Sequence, residues 1–295
     1  MRFGVDIGGT TVKIGFIEDY KILEHYQIET KKEALFPRIC ESIQDFMHKR
    51  NIHEIEGIGF GIPGNVKNNF IVNMPNIGLK NIDIIQAVSE YFPNVKIASN
   101  NDANVAALGE HLYQNDSSNS YMITLGTGVG GGLVLNHRLI DGYHCACGEV
   151  GHLFIDYIHQ YPCTCGLRGC LETVASATGV VRLAREYSKT IPTALRMENL
   201  TCKDVFDAAK ENDELGLYVL DMVAKYLARG LANIAVTVDV EVFYIGGGVA
   251  ACGNLLLDRV KRYYREYSFY AVKDTEIKLA KLGNLAGMLG AAYIL

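Results

Sequence analysis

Two segments of the chain repeat one arrangement: a strand, a glycine-rich turn and a second strand. Residues 3–17 read FGVDIGGTTVKIGFI, and residues 121–135 read YMITLGTGVGGGLVL. The apolar residues on both sides of the glycines predict the two strands of a hairpin in each case. After each hairpin the order of strands and helices begins again along the chain. The sequence therefore predicts a duplicated α/β fold, with two lobes and a cleft between them.

Hydrophobic periodicity predicts the elements of both halves. In the first half we expect strands at 3–8, 11–17, 22–29, 55–62 and 95–99, and helices at 33–50, 82–92 and 103–113. In the second half we expect strands at 120–125, 129–135, 241–245 and 275–280, helices near 173–188, 203–211 and 214–236, another helix after residue 248, and a last one at 284–295. The polar stretch NDSSNS at 115–120 marks the expected boundary. We thus expect a smaller lobe, 1–117 completed by the helix at 284–295, and a larger lobe, 118–283.

The composition argues against several classes of function. The 295 residues include 28 Lys or Arg and 33 Asp or Glu, a net charge of −5 without a long basic run, so nucleic acid is not an expected partner. No stretch approaches the roughly 18 apolar residues that indicate a membrane span. The polar start, with Asp6 among glycines, does not resemble a signal peptide, so we expect a cytoplasmic protein. In that reducing compartment the eight cysteines predict metal ligands or buried thiols.

The glycine-rich turns predict binding sites for phosphate, because tight glycine turns free backbone N–H groups that can hold phosphate oxygens. The residues concerned are Gly8, Gly9, Thr10 and Thr11 in the first turn and Gly126, Thr127 and Gly128 in the second. A third glycine run lies at 246–248. No Walker sequence occurs, and neither match to G-x-G-x-x-G, at 59–64 and 126–131, leads into a helix, so we do not expect a Rossmann-type dinucleotide site. Hairpin turns without a binding role are the alternative.

Two acidic positions stand at the ends of predicted strands. Asp6 interrupts an apolar strand directly before the first glycine turn. A buried carboxylate needs a cation or several donors. Holding magnesium through water against nucleotide phosphates would meet that need, and a hydrogen-bonded structural aspartate is the alternative. Asn101 and Asp102 follow the strand at 95–99 and precede a helix. Asp102 there could take the proton from an attacking hydroxyl, or it could cap the helix; position alone leaves both open.

The segment 149–172 carries the ligands of a metal site. His152, Cys163, Cys165 and Cys170 supply one imidazole and three thiolates in the spacing H-x10-C-x-C-x4-C. This is the ligand set of a closed tetrahedral zinc site, and cysteines that merely lie close together are the alternative. Four protein ligands leave no open position for a catalytic water. Zinc would then have a structural role and would orient residues that line a binding site.

Two carboxylates and three further histidines lie near this segment. Glu149 and Glu172 flank the ligands, and with the second ring nitrogen of His152 they would suit the hydroxyls of a sugar. The further histidines, expected at the surface, are His137, His144 and His159. His144 or His159 could replace His152 as the fourth ligand.

Together these motifs resemble the ROK family of bacterial sugar kinases, open reading frames and sugar-responsive repressors. The motifs occur in the same order as in the family: DIGGT at 6–10, GIPG at 61–64, NDAN at 101–104, LGTGVGGG at 125–132, GEVGH at 148–152, CTCGLRGCLE at 163–172, IGGGV at 245–249 and NLAGMLGAA at 284–292. The resemblance covers essentially the whole chain. It implies the actin-like (ribonuclease H-like) ATPase fold, phosphorylation of a hexose by ATP, usually at the 6-hydroxyl, and a homodimer. The family's repressors carry an added N-terminal DNA-binding domain, and DIGGT at residue 6 favours the kinase branch.

The resemblance also implies roles for individual residues. Asp102 becomes the general base and Asp6 the carboxylate on the magnesium side. The implied sugar ligands are Gly64, Asn76, Asn101, Asp102, Glu149, His152 and Glu172. The implied nucleotide ligands are Asp6, Gly8, Gly9, Thr10, Thr11, Lys13, Gly126, Thr127 and Gly128, with Gly247 and Gly248 on the adenosine side. The implied cofactors are ATP, magnesium and a structural zinc held by His152, Cys163, Cys165 and Cys170.

The identity of the sugar is less constrained. Family glucokinases often carry a tryptophan shortly after the asparagine of the PN motif, whereas residues 74–81 read MPNIGLKN and the chain has no tryptophan. Glucose is the expected substrate, and N-acetylmannosamine, N-acetylglucosamine, fructose and allose are alternatives. A non-catalytic sugar sensor is disfavoured because Asp102 and both glycine turns are intact. A protein-docking zinc module would leave Glu149 and Glu172 unexplained.

Overall fold

The computed structural model describes residues 1–295. Its strands are β1 (Arg2–Ile7), β2 (Thr11–Glu18), β3 (Lys21–Glu29), β4 (Gly57–Ile62), β5 (Asn65–Lys67), β6 (Phe70–Met74), β7 (Leu79–Asp83), β8 (Lys96–Asn101), β9 (Ser120–Leu125), β10 (Val129–Leu135), β11 (Arg138–Ile140), β12 (Val242–Gly246) and β13 (Glu276–Leu279). Its α-helices are α1 (Leu35–Arg50), α2 (Ile84–Ser89), α3 (Asp102–Gln114), α4 (Glu172–Ala175), α5 (Ala177–Tyr187), α6 (Cys202–Lys210), α7 (Glu214–Val238), α8 (Asn254–Tyr267) and α9 (Ala286–Ala291).

Two five-stranded sheets have the same strand order. The first runs β3-β2-β1-β4-β8 and the second runs β11-β10-β9-β12-β13. In the first sheet β1 is antiparallel to β2 and parallel to β4, which is parallel to β8. In the second sheet β9 is parallel to β12, which is parallel to β13. The predicted duplication is therefore confirmed at the level of sheet topology.

The chain forms two compact units. The first contains residues 1–118, 132–148 and 282–295, and the second contains residues 119–131 and 149–281. The lobes expected from the sequence, 1–117 with 284–295 and 118–283, stay a prediction. None of the helices is both long enough and apolar enough to cross a membrane, and this includes α7 with its 25 residues.

The core of the first unit lies between its sheet and α1. Phe3 and Val5 of β1 and Phe60 of β4 are fully buried, and Ile39 and Ile43 of α1 are buried against the same cluster. Burying a side chain of this size stabilises a fold by about 1.5–3 kcal/mol. Parallel strands are covered on both faces, which explains why every residue of β4 is buried.

The short helix α9 approaches the first sheet and α3 backbone to backbone. A Cβ added to Gly4 would lie 1.8 Å from the carbonyl oxygen of Met288, and one added to Gly59 would lie 1.7 Å from that of Ala291. A Cβ on Gly290 would lie 1.7 Å from the carbonyl oxygen of Val105 in α3. Glycine is required at these places because no larger residue leaves room for the packing.

Three predicted helices differ in the structure. The helix expected at 82–92 is shorter, since β7 continues to Asp83 and α2 covers only Ile84–Ser89. The helix expected near 173–188 is divided at Ser176, which is extended and whose Oγ accepts a hydrogen bond from the N–H of Gly179 at 3.1 Å to cap α5. The last helix, expected at 284–295, is only α9, and a 3-10 turn at Gly283–Leu285 precedes it. A serine that caps a helix also ends the preceding one, which periodicity alone does not reveal.

A third sheet was not predicted. It has three strands in the order β5-β6-β7. Asn68 and Asn69 form the β5–β6 turn with positive φ angles of 50° and 63°. Oδ1 of Asn69 accepts a hydrogen bond from the N–H of Ser99 at 2.7 Å, which fastens this turn to β8. Strands of three to five residues are too short for an alternating pattern to stand out.

Candidate active site

The first glycine turn is closed by backbone hydrogen bonds and held by β3. The N–H of Gly8 donates to the carbonyl oxygen of Thr11 at 2.9 Å. The N–H of Thr30 donates to the carbonyl oxygen of Thr10 at 2.9 Å, and Oγ1 of Thr30 donates to that of Gly8 at 2.8 Å. Gly9 and Thr10 are exposed. The tip of the turn is therefore accessible on a fixed frame, as a phosphate-binding turn requires.

Asp6, directly before this turn, is largely buried and paired with a lysine. Oδ2 of Asp6 lies 3.4 Å from Nζ of Lys13, and the Asp6 side chain is 18% exposed. Burial raises the pKa of Asp6, and Lys13 only partly opposes this shift. A Cβ added to Gly287 of the α9 helix would lie 2.8 Å from Cγ of Asp6. The carboxylate is thus held between β2 and α9 in surroundings that disfavour its charge, where a cation would stabilise it.

Asn101 and Asp102 lie at the end of β8, where α3 begins. Oδ1 of Asn101 accepts hydrogen bonds from the N–H groups of Ala103 at 2.9 Å and Asn104 at 3.4 Å, so Asn101 is the N-cap. Nδ2 of Asn101 donates to the carbonyl oxygen of Gly64 at 3.1 Å. Asp102 is the first helical residue, and its Oδ1 accepts from the N–H of Ala103 at 2.9 Å. The capping role therefore belongs to Asn101.

The first unit brings Asp6 and Asp102 to the same place. A Cβ added to Gly61 of β4 would lie 3.7 Å from Oδ1 of Asp6 and 3.7 Å from Cα of Asp102. These residues end β1, β4 and β8, three parallel neighbours whose carboxyl ends share one edge of the sheet. Ligands of open α/β sheets bind at this edge. Asn76 is exposed in the turn between β6 and β7.

The second glycine turn is also closed by a backbone hydrogen bond, but it is one residue shorter than the first. The N–H of Gly126 donates to the carbonyl oxygen of Gly128 at 2.9 Å. The carbonyl oxygen of Gly126 accepts from the N–H of Ala177 at 2.8 Å, and that of Thr127 accepts from Oγ1 of Thr178 at 3.2 Å. The beginning of α5 thereby fixes this turn.

Glu172 reaches the second turn from the first position of α4. Its Oε2 accepts a hydrogen bond from the N–H of Val129 at 3.0 Å. A Cβ added to Gly128 would lie 2.3 Å from the same oxygen. Its other oxygen, Oε1, lies 3.8 Å from Sγ of Cys163. Glu172 therefore connects the second glycine turn to residues 149–172, the cysteine segment.

The third glycine run follows β12. Gly247 has a φ of 87°, and a Cβ added there would lie 2.4 Å from the carbonyl oxygen of Leu125. Only glycine fits such a position without strain. A Cβ added to Gly248 would meet no atom within 4 Å. The chain thus passes close to the end of β9 and then leaves open space at Gly248.

The four predicted metal ligands lie together. The ligand atoms of His152, Cys163, Cys165 and Cys170 are all within 4.8 Å of one another. Sγ of Cys163 lies 3.6 Å from Nδ1 of His152, and Sγ of Cys165 lies 3.7 Å from Sγ of Cys170. The N–H of Cys163 donates to the carbonyl oxygen of Leu167 at 2.9 Å and closes the loop that carries the first two thiols. The cluster could hold a metal ion.

The thiols of this cluster have unequal pKa values. Burial raises the pKa of Cys170 to about 12 and also raises the pKa of Cys163. The backbone N–H of Leu167 lowers the pKa of Cys165. A metal ion binds thiolates, so its binding here would release protons.

The orientation of His152 leaves its second ring nitrogen for another partner. With Nδ1 facing Cys163, Nε2 lies 3.9 Å from Oε2 of Glu149. Glu149 is more than half exposed, at 54% of its side chain. An imidazole held through one nitrogen can bind a ligand through the other.

Two of the three further histidines are at the surface as expected. His137 and His144 are exposed, whereas the prediction for His159 was wrong. The His159 side chain is only 8% exposed, because its Nδ1 lies 3.1 Å from Oδ1 of the fully buried Asp156 and its Nε2 lies 2.9 Å from the Tyr187 hydroxyl. His159 is therefore a core residue and no metal ligand.

Sequence reasoning missed this buried polar network. Oδ1 of Asp156 also accepts a hydrogen bond from the Tyr226 hydroxyl at 3.0 Å. Burial opposes the charge of Asp156, but hydrogen bonds from His159 and Tyr226 lower its pKa. An aspartate within the short apolar run LFID could have been the signal, as Asp6 was in β1. The network joins the segment before Cys163 to α5 and α7.

Comparison with known proteins agrees with this arrangement. The sequence matches the ROK family over residues 2–295. A glucokinase of Halalkalibacterium halodurans is 38% identical over 309 aligned residues, which cover 99% of this chain and 93% of that protein. The crystal structure of a ROK family glucokinase from Streptomyces griseus, in complex with glucose and AMPPNP, is 28% identical with a TM-score of 0.79 and covers 99% of this chain and 98% of its own. A ROK hexokinase from Thermus thermophilus is 29% identical with a TM-score of 0.83, over 98% of this chain and 96% of that one.

These similarities confirm the predicted fold class. Both of these solved neighbours are ROK sugar kinases, which have the actin-like ATPase fold with two lobes. The matched region spans all but the first residue of this chain. The chain therefore belongs to the ROK family.

Proposed function

We propose that this protein is an ATP-dependent glucokinase that transfers the γ-phosphoryl group of ATP to the 6-hydroxyl of glucose. The observation that carries the proposal is the pair Asp6 and Asp102, both next to Gly61 at the carboxyl edge of the first sheet. This pair supplies one carboxylate for a metal-bound nucleotide and one for a hydroxyl. The 38% identity to a glucokinase over 99% of the chain supports glucose as the substrate.

In the proposed reaction Asp102 is the general base. The 6-hydroxyl oxygen attacks the γ-phosphorus in line as the bond from that phosphorus to the β–γ bridging oxygen breaks. Asp102 accepts the hydroxyl proton, and ADP leaves with the bridging oxygen. The Asn101 cap and its bond to Gly64 hold Asp102 at the start of α3, so little reorganisation is needed during the transfer.

The nucleotide ligands follow the two glycine turns. We propose that the ligands of the ATP phosphates are Gly8, Gly9, Thr10, Thr11, Lys13, Gly126, Thr127 and Gly128. Gly247 and Gly248 would face adenosine. Magnesium would be held through water by Asp6, whose burial next to a single lysine suits a second cation. The ion would neutralise charge on the phosphates.

The proposed sugar ligands follow the motifs that the sequence shares with the family. They are Gly64, Asn76, Asn101, Asp102, Glu149, His152 and Glu172. For Glu172, Oε2 already accepts from the N–H of Val129, so its second oxygen is the one that would accept from a sugar hydroxyl.

The metal of the cysteine cluster would be zinc in a structural role. Bonds of about 2.3 Å in a tetrahedron separate two ligand atoms by about 3.8 Å. The distances of 3.7 Å between Cys165 and Cys170 and 3.6 Å between Cys163 and His152 fit this geometry. One imidazole and three thiolates complete the coordination of zinc, which would fix the His152 ring and the loop around it.

The test is coupled release of ADP with magnesium-ATP against glucose, N-acetylmannosamine, N-acetylglucosamine, fructose and allose. Turnover on glucose with the highest kcat/KM is the expected result. Higher kcat/KM on another sugar would reassign the substrate. If no sugar is phosphorylated but sugar binding is still detected by thermal shift, the protein is a sugar sensor and not a kinase. We further propose that the protein is a homodimer, which sedimentation of the purified protein would test. We also propose that it is cytoplasmic, which fractionation of cells would test.

A further inference from the structure

Asn100, Asn104 and Asp141 form a hydrogen-bonded set of side chains. They lie next to residues 101–104, which we call the catalytic loop because it contains the proposed base Asp102. Asn100 lies in β8 directly before Asn101. Its Oδ1 accepts hydrogen bonds from the N–H of Asn101 at 2.7 Å and from Nδ2 of Asn104 at 3.0 Å. Its Nδ2 donates to Oδ1 of Asp141 at 2.7 Å. Both ends of this one amide therefore have partners around the loop that begins α3.

Asp141 determines which way the Asn100 amide points. A carboxylate only accepts hydrogen bonds, so it must face the NH2 end of the amide. The reversed amide would place its oxygen against the Asp141 carboxylate. It would also place its NH2 against two donors, the N–H of Asn101 and Nδ2 of Asn104. With Asp141 in place, Oδ1 of Asn100 is kept towards Asn101.

The segment after β11 holds Asp141 in its position. The carbonyl oxygen of Asp141 accepts from the N–H of Cys147 at 3.0 Å, and that of Gly142 accepts from the N–H of Cys145 at 3.2 Å. Residues 141–147 thus form a compact loop with a fixed first residue. Asp141 lies 41 positions from Asn100 in the sequence, so its carboxylate ties the catalytic loop to a distant part of the same unit.

We propose that Asn100 and Asp141 are positioning residues for proton transfer, an inference that rests on the proposed kinase activity. Neither is assigned a contact with the reacting atoms. They fix the N–H of Asn101, and thereby the N-cap and the first residue of α3, which is Asp102. A catalytic group displaced by about 1 Å can slow a reaction about a hundredfold. Loosening this loop should therefore lower kcat much more than it raises KM for magnesium-ATP.

The experiment exchanges the amide of Asn100 and the carboxylate of Asp141 by mutation. Asn100→Asp places two carboxylates against each other, and kcat should fall about tenfold to a hundredfold, with KM for magnesium-ATP within about twofold. The double variant Asn100→Asp with Asp141→Asn restores one donor and one acceptor across the pair. Its kcat should return to within about threefold of wild type, so that the two changes are strongly non-additive.

Asn69→Asp is the matched control. Asn69 also contacts β8, but its Oδ1 only accepts, from the N–H and Oγ of Ser99 at 2.7 Å and 3.3 Å. The control adds the same charge to the same unit and keeps the acceptor used by Ser99, whereas Asn100→Asp loses the amide donor to Asp141. Its kcat should stay at the wild-type value, which separates the loss of the pair from a general effect of charge.

Two results would overturn the proposal: Asn100→Asp with wild-type kcat, or a double variant as slow as Asn100→Asp alone. If the wild-type protein phosphorylates none of the sugars, the proposed kinase function is wrong. Amide hydrogen exchange at residues 101–104 then decides the positioning role by itself. Protection lost in Asn100→Asp and recovered in the double variant would support it, and unchanged protection would refute it.

Discussion

The two glycine turns occupy equivalent places in the two sheets and differ in their chemistry. In each, the N–H of the first glycine donates at 2.9 Å to a carbonyl oxygen across the turn. Asp6 in β1 pairs with Gly61 of the next parallel strand, and Thr124 in the equivalent place of β9 pairs with Gly246. The first turn has its own carboxylate and lysine, whereas the second receives its carboxylate from Glu172, a residue of the cysteine segment. The two copies thus share a glycine turn between two strands and take their charged groups from different parts of the chain.

The largest expected effect concerns Asp102, which has no counterpart in the second copy. Asp102→Asn should reduce kcat at least about a hundredfold, the usual contribution of a positioned base, with sugar binding retained. Steady-state kinetics and calorimetric titration with glucose measure the two quantities. Asn101 would still cap α3, so unfolding should occur at an unchanged temperature. Turnover close to wild type would remove Asp102 from the reaction.

Asp6→Asn tests whether the charged group of the first turn serves catalysis at the expense of stability. Burial raises the pKa of Asp6, so the charged form is disfavoured in the folded protein at neutral pH. An uncharged isostere should therefore unfold at an equal or higher temperature, while kcat/KM for magnesium-ATP falls at least about tenfold because a metal-side carboxylate is lost. A variant that is less stable and fully active would contradict both expectations.

Cys165→Ser tests the source of the carboxylate in the second turn. Loss of one thiolate should release the metal, and the His152 ring and Glu172 should then lose their fixed surroundings. We expect less than one equivalent of zinc by elemental analysis and about tenfold weaker sugar binding. Cys147→Ser is the control, since Cys147 lies outside the cluster and should keep both values. Full zinc content in Cys165→Ser would disprove this ligand set.

The comparison of the turns also shows what the sequence could predict. The repeated strands, both glycine turns and the cluster of His152 with three cysteines were predictable, because strand alternation, glycine and cysteine spacing are local signals. The cap at Asn101 was not separable from Asp102 by position, since both residue types cap helices. The bond from Glu172 to Val129 and that from Asn100 to Asp141 join residues 43 and 41 positions apart, which no local pattern records. The short third sheet was missed for lack of periodicity.

Glycine-to-alanine changes compare the space around the two turns directly. A Cβ on Gly128 would lie 2.3 Å from Oε2 of Glu172, whereas a Cβ on Gly9 would meet no atom within 4 Å. Gly128→Ala should displace the carboxylate and lose its bond to Val129, a loss of about 1–3 kcal/mol in the free energy of unfolding. Gly9→Ala should unfold like wild type. Equal urea midpoints for both variants would mean that Glu172 moves aside without loss.

The smallest expected effect is a shift of pH dependence through Lys13. Because Lys13 is also a proposed phosphate ligand, kcat/KM for magnesium-ATP should fall in its variant, and the quantity compared is the pH midpoint of the acid limb. Lys13 lowers the pKa of Asp6 from the raised value that burial imposes, so Lys13→Met should raise that pKa further. In the proposed mechanism an ionised Asp6 is needed for turnover, so activity should be present above the pKa of Asp6 and lost as the pH falls through that pKa. The acid limb of kcat/KM for magnesium-ATP, which reports the free enzyme, should therefore move to higher pH in Lys13→Met. Lys31→Met is the control, because Lys31 pairs with the exposed Glu29 at 3.3 Å, away from Asp6, and its acid limb should coincide with wild type. An acid limb that stays in place in both variants would show that ionisation of Asp6 does not limit the reaction.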